Sequence, residues 1–169
     1  MKKRVRIEVF TLIFIVVAIA FSVFFATRND VEVIAPKRQY TIDEINFGEQ
    51  NDVLDTLNNP PINDSPYKGL LLKSKEYNSE IEIYYWKTNN PEEAKKIWKK
   101  IWLIYGDNLG NKGIIEKSTY SFAYLEQFET TFYFWQKDIW IFFVKIDRYL
   151  TEEEKEEFLS NIIPEKFRT

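Results

Sequence analysis

The longest run of apolar positions in the chain covers residues 9–26, which are 18 residues without a charged side chain. A helix of that length spans about 27 Å, close to the thickness of the hydrocarbon core of a bilayer. Four basic residues precede the run, whereas one, Arg28, follows it closely. Because basic flanks stay on the cytoplasmic side, the pattern predicts a cytoplasmic tail at 1–8, a transmembrane helix at 9–27 and an extracytoplasmic remainder.

A cleaved signal peptide is the alternative interpretation of the same segment. Ala18 and Ala20 flank Ile19 in the small-x-small pattern of a cleavage site. Residues 21–26 stay apolar, however, whereas a signal peptide becomes polar at that point. An uncleaved anchor fits the pattern better, and it predicts a single-pass protein of the cell membrane.

The segment 28–66 is polar and irregular and contains four prolines. This composition predicts a tether between the membrane and a folded domain. Within the tether, residues 51–57 precede the paired prolines Pro60 and Pro61, which favours a short helix there because proline ends a helix at the residue before it.

Regular periodicity begins at residue 67, so we expect the extracytoplasmic domain to occupy residues 67–169. Residues 68–76 predict a strand, and residues 80–86 alternate strictly between polar and apolar side chains. The polar residues 77–79 between these two strands predict a hairpin turn.

A helix is predicted next. Asn90 suits the N-cap, Pro91 the first helical position, and Glu93 completes a capping box. The helix should run to Tyr105, with Gly106 as a left-handed terminator. Its apolar stripe consists of Ala94, Ile97, Trp98, Ile101 and Tyr105.

Beyond a glycine-containing loop at residues 107–113, three strands and a closing helix are predicted. The strands cover residues 121–126, 128–135 and 139–146, and the last two form a hairpin. The closing helix begins with the capping box of Thr151 and Glu154, and Pro164 ends it.

The predicted order of elements is β-β-α-β-β-β-α. Strands joined by short turns favour an antiparallel sheet, because parallel strands need long crossover connections between them. We therefore predict an α+β domain with about five strands and with its helices packed on one face of the sheet.

Charge and composition exclude several classes of function. The whole chain has 23 basic and 26 acidic residues, and removing the four basic residues and the one acid of residues 1–27 leaves a net charge of −6 outside the anchor. An acidic domain gains nothing from counterion release on nucleic acid, so we predict no nucleic-acid partner. The chain has no cysteine and no histidine, which removes disulfides, thiolate chemistry and the commonest general base and zinc ligands.

Aromatic side chains on the predicted strands are the candidate binding residues. The two strands of the last hairpin are apolar on both faces, which is typical of central strands covered on both sides. The other interpretation is an exposed aromatic face for a protein, a glycan or the bilayer surface. On that interpretation the candidate partner-binding residues are Trp86, Tyr133, Trp135 and Trp140.

Three segments, at residues 90–98, 134–144 and 150–154, together resemble a pattern found in small membrane-anchored or secreted bacterial α+β domains of unknown function. In that pattern a helix opens after a strand, and a tryptophan-containing hairpin precedes a short final helix. The resemblance covers roughly residues 67–163. It implies an α+β domain and supplies no activity or site residues for this chain.

The sequence therefore predicts a membrane-anchored extracytoplasmic interaction or accessory domain without catalytic activity, with an envelope protein as its partner and no cofactor. Two alternatives remain. A carboxylate-dependent hydrolase acting on envelope polymers requires a cleft with two acids at bridging distance, and a glycan-binding module requires an exposed indole face.

Overall fold

Seven strands form one antiparallel sheet in the order β1-β2-β3-β7-β6-β5-β4. A 3-10 helix (Ile42–Glu44) precedes the sheet, α1 (Pro91–Tyr105) connects β3 to β4, and α2 (Glu152–Ile162) follows β7. The predicted α+β class is confirmed. The strands are β1 (Asn51–Thr56), β2 (Tyr67–Ser74), β3 (Ser79–Lys87), β4 (Asn111–Glu116), β5 (Tyr120–Gln127), β6 (Thr130–Lys137) and β7 (Trp140–Ile146).

The computed structural model describes residues 33–47, 51–75, 77, 79–106 and 111–162. Residues from Val33 onward form one compact unit. The cytoplasmic tail, the transmembrane helix and the first part of the tether, predicted at 1–32, lie outside the described residues. Of the predicted loop at 107–113, only the last three residues are described.

Two edge strands were not predicted. Residues 51–56, predicted as part of a short helix, form β1 and pair with β2 from Asn51 opposite Ser74 to Thr56 opposite Leu70. Six residues are too few for hydrophobic periodicity to distinguish a helix from a strand. Pairing with β2 therefore determines that this segment is a strand. Gly113, read as a loop residue, lies in β4, where an added Cβ would collide with the ring of Tyr124 on β5.

The hairpin turns also differ from the prediction. Gln127 pairs with Thr130 and Lys137 pairs with Trp140, so Phe128 belongs to a two-residue turn and not to a strand. The predicted strand boundaries were displaced by about two residues because neither turn contains glycine, the usual signal for such turns.

Helix α1 begins at the predicted N-cap, but it forms only half of the predicted capping box and ends differently. The Glu93 carboxylate accepts a hydrogen bond from the Asn89 N–H at 3.2 Å, one residue before the N-cap. The Asn90 side chain accepts a hydrogen bond from the Glu93 N–H at 2.9 Å, which satisfies one of the free donors of the first turn. Gly106 has φ −73° and ψ −19°, so it continues the right-handed geometry, and its N–H donates to the Trp102 carbonyl at 2.7 Å. The prediction of a left-handed glycine terminator is therefore wrong.

Helix α1 covers the first face of the sheet. Its apolar stripe packs against side chains of β5, β6 and β7, and the Trp98 Nε1–H donates to the Phe134 carbonyl at 3.2 Å. Ile62 and Leu57, from the segment between β1 and β2, extend the same core cluster. This packing confirms that the central strands are covered on this side.

Helix α2 packs on the second face. Phe158 stacks on Tyr133 with ring centroids 4.9 Å apart, and Tyr133 alternates with the two β6 phenylalanines that face α1. The prediction that both helices lie on one face is therefore wrong. The second face is also covered by the segment 33–47, whose Phe47 ring lies 5.6 Å from that of Tyr85.

Candidate functional site

The four aromatic residues predicted as candidate partner-binding side chains all lie in the core. Trp86 and Trp140 are 0% exposed, Trp135 is 1% exposed and Tyr133 is 3% exposed. Binding a partner through these rings requires an exposed face, and none of the four presents one. Their surroundings give them a structural role instead.

Two of these indoles hold neighbouring segments of the chain, at Ile34 and Ile62, against the sheet through hydrogen bonds. The Trp135 Nε1–H donates to the Ile34 carbonyl at 2.8 Å, and its ring stacks on Phe142 at 4.9 Å. On the opposite face the Trp86 Nε1–H donates to the Ile62 carbonyl at 3.2 Å. Each indole thus combines buried apolar area with one hydrogen bond to a backbone carbonyl of the adjoining segment.

The buried phenols do not supply acid–base chemistry near neutral pH. Burial raises the pKa of Tyr133 and, likewise, the pKa of Tyr85 well above the ordinary value. Their hydroxyls and the Trp140 Nε1–H have no hydrogen-bond partner among the described residues. Glycan recognition needs a free indole face, and of the five tryptophans only Trp102 is more than slightly exposed, with the Lys112 ammonium 5.8 Å from its ring centroid.

A different set of apolar side chains is exposed. Phe128, at the turn between β5 and β6, is 90% exposed, far more than any other large apolar residue of the described chain. Tyr149, 50% exposed, lies against the same turn. The remaining members of the set are Val53, Leu54, Leu103, Ile104 and Ile114.

Residues 127–130, which we call the Phe128 turn, have a strained and well-braced backbone. Phe128 has φ 50° and Glu129 has φ 60°, the left-handed pair that defines a type I′ hairpin turn and normally selects Asn-Gly. The Tyr149 hydroxyl accepts a hydrogen bond from the Glu129 N–H at 3.0 Å. The Thr130 hydroxyl donates to the Phe128 carbonyl at 3.3 Å, so the turn is held from both sides.

Acidic side chains surround the Phe128 turn, and the basic ones near it are paired. Arg148 donates to Glu154 through both terminal guanidinium nitrogens, Nη1 at 3.1 Å and Nη2 at 2.6 Å. This contact, with the Thr151 N–H, lowers the pKa of Glu154 to about 2. Lys155 contacts Glu126 and Glu152, each at 2.7 Å, so its single charge is shared between two acids.

The opposite end of the sheet carries a groove of about 460 Å³ between the start of α1 and the β4–β5 and β6–β7 turns. Glu92 and Asp138 both line it, and two acids in one cleft are what the hydrolase alternative requires. Arg38 engages both carboxylate oxygens of Asp138, however, at 2.5 Å through Nε and through Nη2 as well. Asp138 is therefore committed to an ion pair.

Two features are absent from the described part of the chain. It contains no group of three or more acidic, histidine or cysteine side chains placed to hold a metal ion. No helix within it has both the length and the apolar character needed to cross a membrane; the predicted anchor at 9–27 lies outside it.

Comparison with known proteins yields a likeness in fold. No protein-family model matches the chain, and no characterised protein matches its sequence. The structure is similar to the crystal structure of a GTP binding regulator from Thermotoga maritima, with a TM-score of 0.59 and 17% sequence identity. The match covers 79% of this chain and 91% of that protein. At this identity the likeness shows the fold alone.

The Phe128 turn is the feature that sequence reasoning missed. Phe128 was assigned to a strand because it continues the apolar alternation of Phe132 and Phe134. A two-residue turn made of Phe and Glu carries none of the usual glycine, asparagine or aspartate signals. The pairing of β5 with β6 places Phe128 in the turn, where its ring is exposed.

Proposed function

We propose that this chain is a membrane-anchored, non-catalytic interaction subunit of the cell envelope, with residues 9–27 as its anchor and the domain outside the cytoplasm. One observation carries the proposal. The chain enters the folded domain at one end of the sheet, and the most exposed aromatic side chain of the described residues lies at the other end. That arrangement suits a tethered domain that presents a contact surface away from its attachment.

The attachment end is defined by hydrogen bonds. The Val33 carbonyl accepts a hydrogen bond from the Lys137 ammonium at 2.7 Å, beside the β6–β7 turn. The Phe128 turn lies at the far end of β6, about 24 Å along the strand.

The fold neighbour adds nothing to this assignment. Its name describes GTP binding by that protein, and a likeness at 17% identity transfers no nucleotide site to this chain.

In-membrane cross-linking of the full-length protein, followed by mass spectrometry of the captured species, tests the proposal. We expect reproducible capture of one envelope protein through peptides of residues 67–162. A chain in which an unrelated transmembrane helix replaces residues 9–27 is the control, and it should capture the same protein because the anchor only localises the domain. Capture of nothing besides further copies of the chain would contradict the proposed function.

A further inference from the structure

The Phe128 turn has the properties of a docking element. Its central ring is 90% exposed, and both central residues adopt the left-handed conformation that favours Asn-Gly. A sequence chosen for stability would place those residues here. Natural proteins keep backbone strain mainly where a function depends on it, and an exposed aromatic ring on a strained turn points to a contact made by that ring.

The turn is also braced by side-chain hydrogen bonds. The hydroxyl of Tyr149 holds the Glu129 N–H, and on the neighbouring strand position the Thr131 hydroxyl donates to the Arg148 carbonyl at 2.9 Å. The hairpin is thereby fastened to the segment that joins β7 to α2. An aromatic side chain on a fixed backbone loses little conformational entropy on binding, so Phe128 is suited to anchor an interface.

The charge of the side chains around Phe128 indicates which kind of partner surface the ring can contact. Residues 126–129 and 145–155 contain three basic side chains and six acidic ones, a net charge of −3. The three basic side chains are all in ion pairs, while Glu152 keeps 88% of its side chain exposed. The acidic side chains are Glu126, Glu129, Asp147, Glu152, Glu153 and Glu154.

An acidic rim disfavours two occupants. Anionic lipid headgroups would be repelled, since lipid-binding surfaces are basic. A symmetric contact with a second copy would bring the same acidic rim against itself. A protein surface with an apolar pocket and a lysine- or arginine-rich rim satisfies both the ring and the charges.

We infer that Phe128 is the anchor by which this domain docks into an apolar, basic-rimmed pocket of a partner protein, with Glu129 and the first turn of α2 contacting the rim. The inference deepens the proposed function and rests on it. It assigns the contact to the end of the sheet opposite the point where the chain enters the domain.

Site-specific photo-cross-linking in native membranes tests the inference. The full-length protein carries p-benzoylphenylalanine at position 128 or, as a matched control, at Leu103, which is also exposed (68%) but lies on α1. We expect an adduct from position 128 whose cross-linked peptide in the partner contains apolar residues flanked by lysine or arginine. Its yield should fall at least tenfold when excess unlabelled wild-type protein competes.

Competitor variants give the discriminating result. Full-length protein with Phe128→Asn and Glu129→Gly should not compete, although its melting temperature should equal or exceed that of the wild type. The charge variant Glu129→Lys should compete less well than the wild type, whereas Leu103→Asn should compete fully. Effective competition by the Phe128→Asn/Glu129→Gly protein would overturn the inference.

The outcomes also separate the inference from the proposed function. An adduct with phospholipid, or with a second copy of the chain, at position 128 would overturn the docking inference. An adduct to one envelope protein from position 103 without any from position 128 would overturn the inference and leave the proposed function standing. Failure of both positions, together with failure of general cross-linking, would remove both.

Discussion

At the scale of single residues, the aromatic side chains of this domain have two different roles. The indoles of Trp86 and Trp135 are buried and hold the backbone of Ile62 and Ile34, respectively. Phe128 is exposed on a backbone that is unfavourable for it. Residue type alone therefore does not distinguish a structural aromatic from a surface one; the difference lies in which strand face or turn position it occupies.

The strain of the Phe128 turn is measurable as stability. Replacing Phe128 by Asn and Glu129 by Gly should raise the free energy of unfolding by about 1–2 kcal/mol, because left-handed geometry costs about that much for other residues. Urea unfolding of wild type and variant measures the change. Glu129→Ala alone, which keeps a Cβ at a left-handed position, should bring no comparable gain, and a destabilised double variant would contradict the strain argument.

The Trp135 indole offers a second residue-level prediction. Trp135→Phe should lower the free energy of unfolding by about 2 kcal/mol, since it removes the hydrogen bond to the Ile34 carbonyl and leaves a cavity. The freed segment should also become the first site of limited proteolysis. Trp102→Phe, at a partly exposed position, is the control and should cost less; equal losses would show that the Ile34 contact contributes nothing specific.

At the scale of elements, the attachment of α2 depends on an ion pair and a capping box at its start. Glu154 accepts hydrogen bonds from Arg148 and from the Thr151 N–H, and the Thr151 hydroxyl accepts one from the Glu154 N–H at 3.2 Å. Phe158 adds the apolar contact with Tyr133. The position of the helix on the second face therefore rests on polar contacts at its first turn and on one buried ring near its middle.

These contacts predict a defined pH dependence. Because the folded-state pKa of Glu154 is lowered from 4.5 to about 2, its stabilisation is complete above the unfolded pKa and is lost as the pH falls towards 2. Glu154→Gln should lower the melting temperature at pH 7, and the difference from wild type should shrink between pH 4.5 and pH 2. Glu153→Gln, at an exposed position, is the control; a difference that stays constant with pH would contradict the assignment.

Local signals explain which elements the sequence predicts well. Strands β2, β3 and β7 and both helices were predicted to within a few residues, because alternation and capping residues are encoded locally. The edge strands β1 and β4 were missed, since their conformation depends on the partners β2 and β5. The side of the sheet that α2 covers was also not predicted. Because β6 and β7 are apolar on both faces, their sequence does not indicate which face α2 packs on.

The candidate site was predictable to a smaller extent. The many aromatic residues of the last hairpin correctly indicated central strands. The same residues also made Trp135 and Trp140 candidate binding residues, and both are buried. The exposed ring lies at position 128, two residues before β6 begins. Only the pairing of Gln127 with Thr130 reveals it, and that pairing is a long-range consequence of the whole sheet.

At the scale of the whole molecule, burial is concentrated at the centre of the sheet. Strands β3, β6 and β7 are buried on both faces, by α1 and the segment between β1 and β2 on one side and by α2 and residues 33–47 on the other. The outer strands are covered less: five of the six residues of β1 are exposed, and Ile114 of β4 is 45% exposed. A register shift between Val53 and Asp55 interrupts the β1 ladder, an irregularity that discourages pairing with another chain at a free edge.

Such a gradient of burial predicts a gradient of local stability. Amides of β7 and β6 should exchange with solvent deuterium only through global unfolding, whereas the paired amides of β1 and β4 should exchange through local opening at lower free energy. Hydrogen exchange of the full-length protein, read by mass spectrometry of peptides, measures both.

Because the Phe128 turn joins β5 to the protected strand β6 and is held by Tyr149, the Glu129 amide should exchange more slowly than the amides of β4. Equal protection of β4 and β7 would show that the sheet opens as a unit, and a rapidly exchanging Glu129 amide would show that the turn is not the rigid support that an anchoring ring requires.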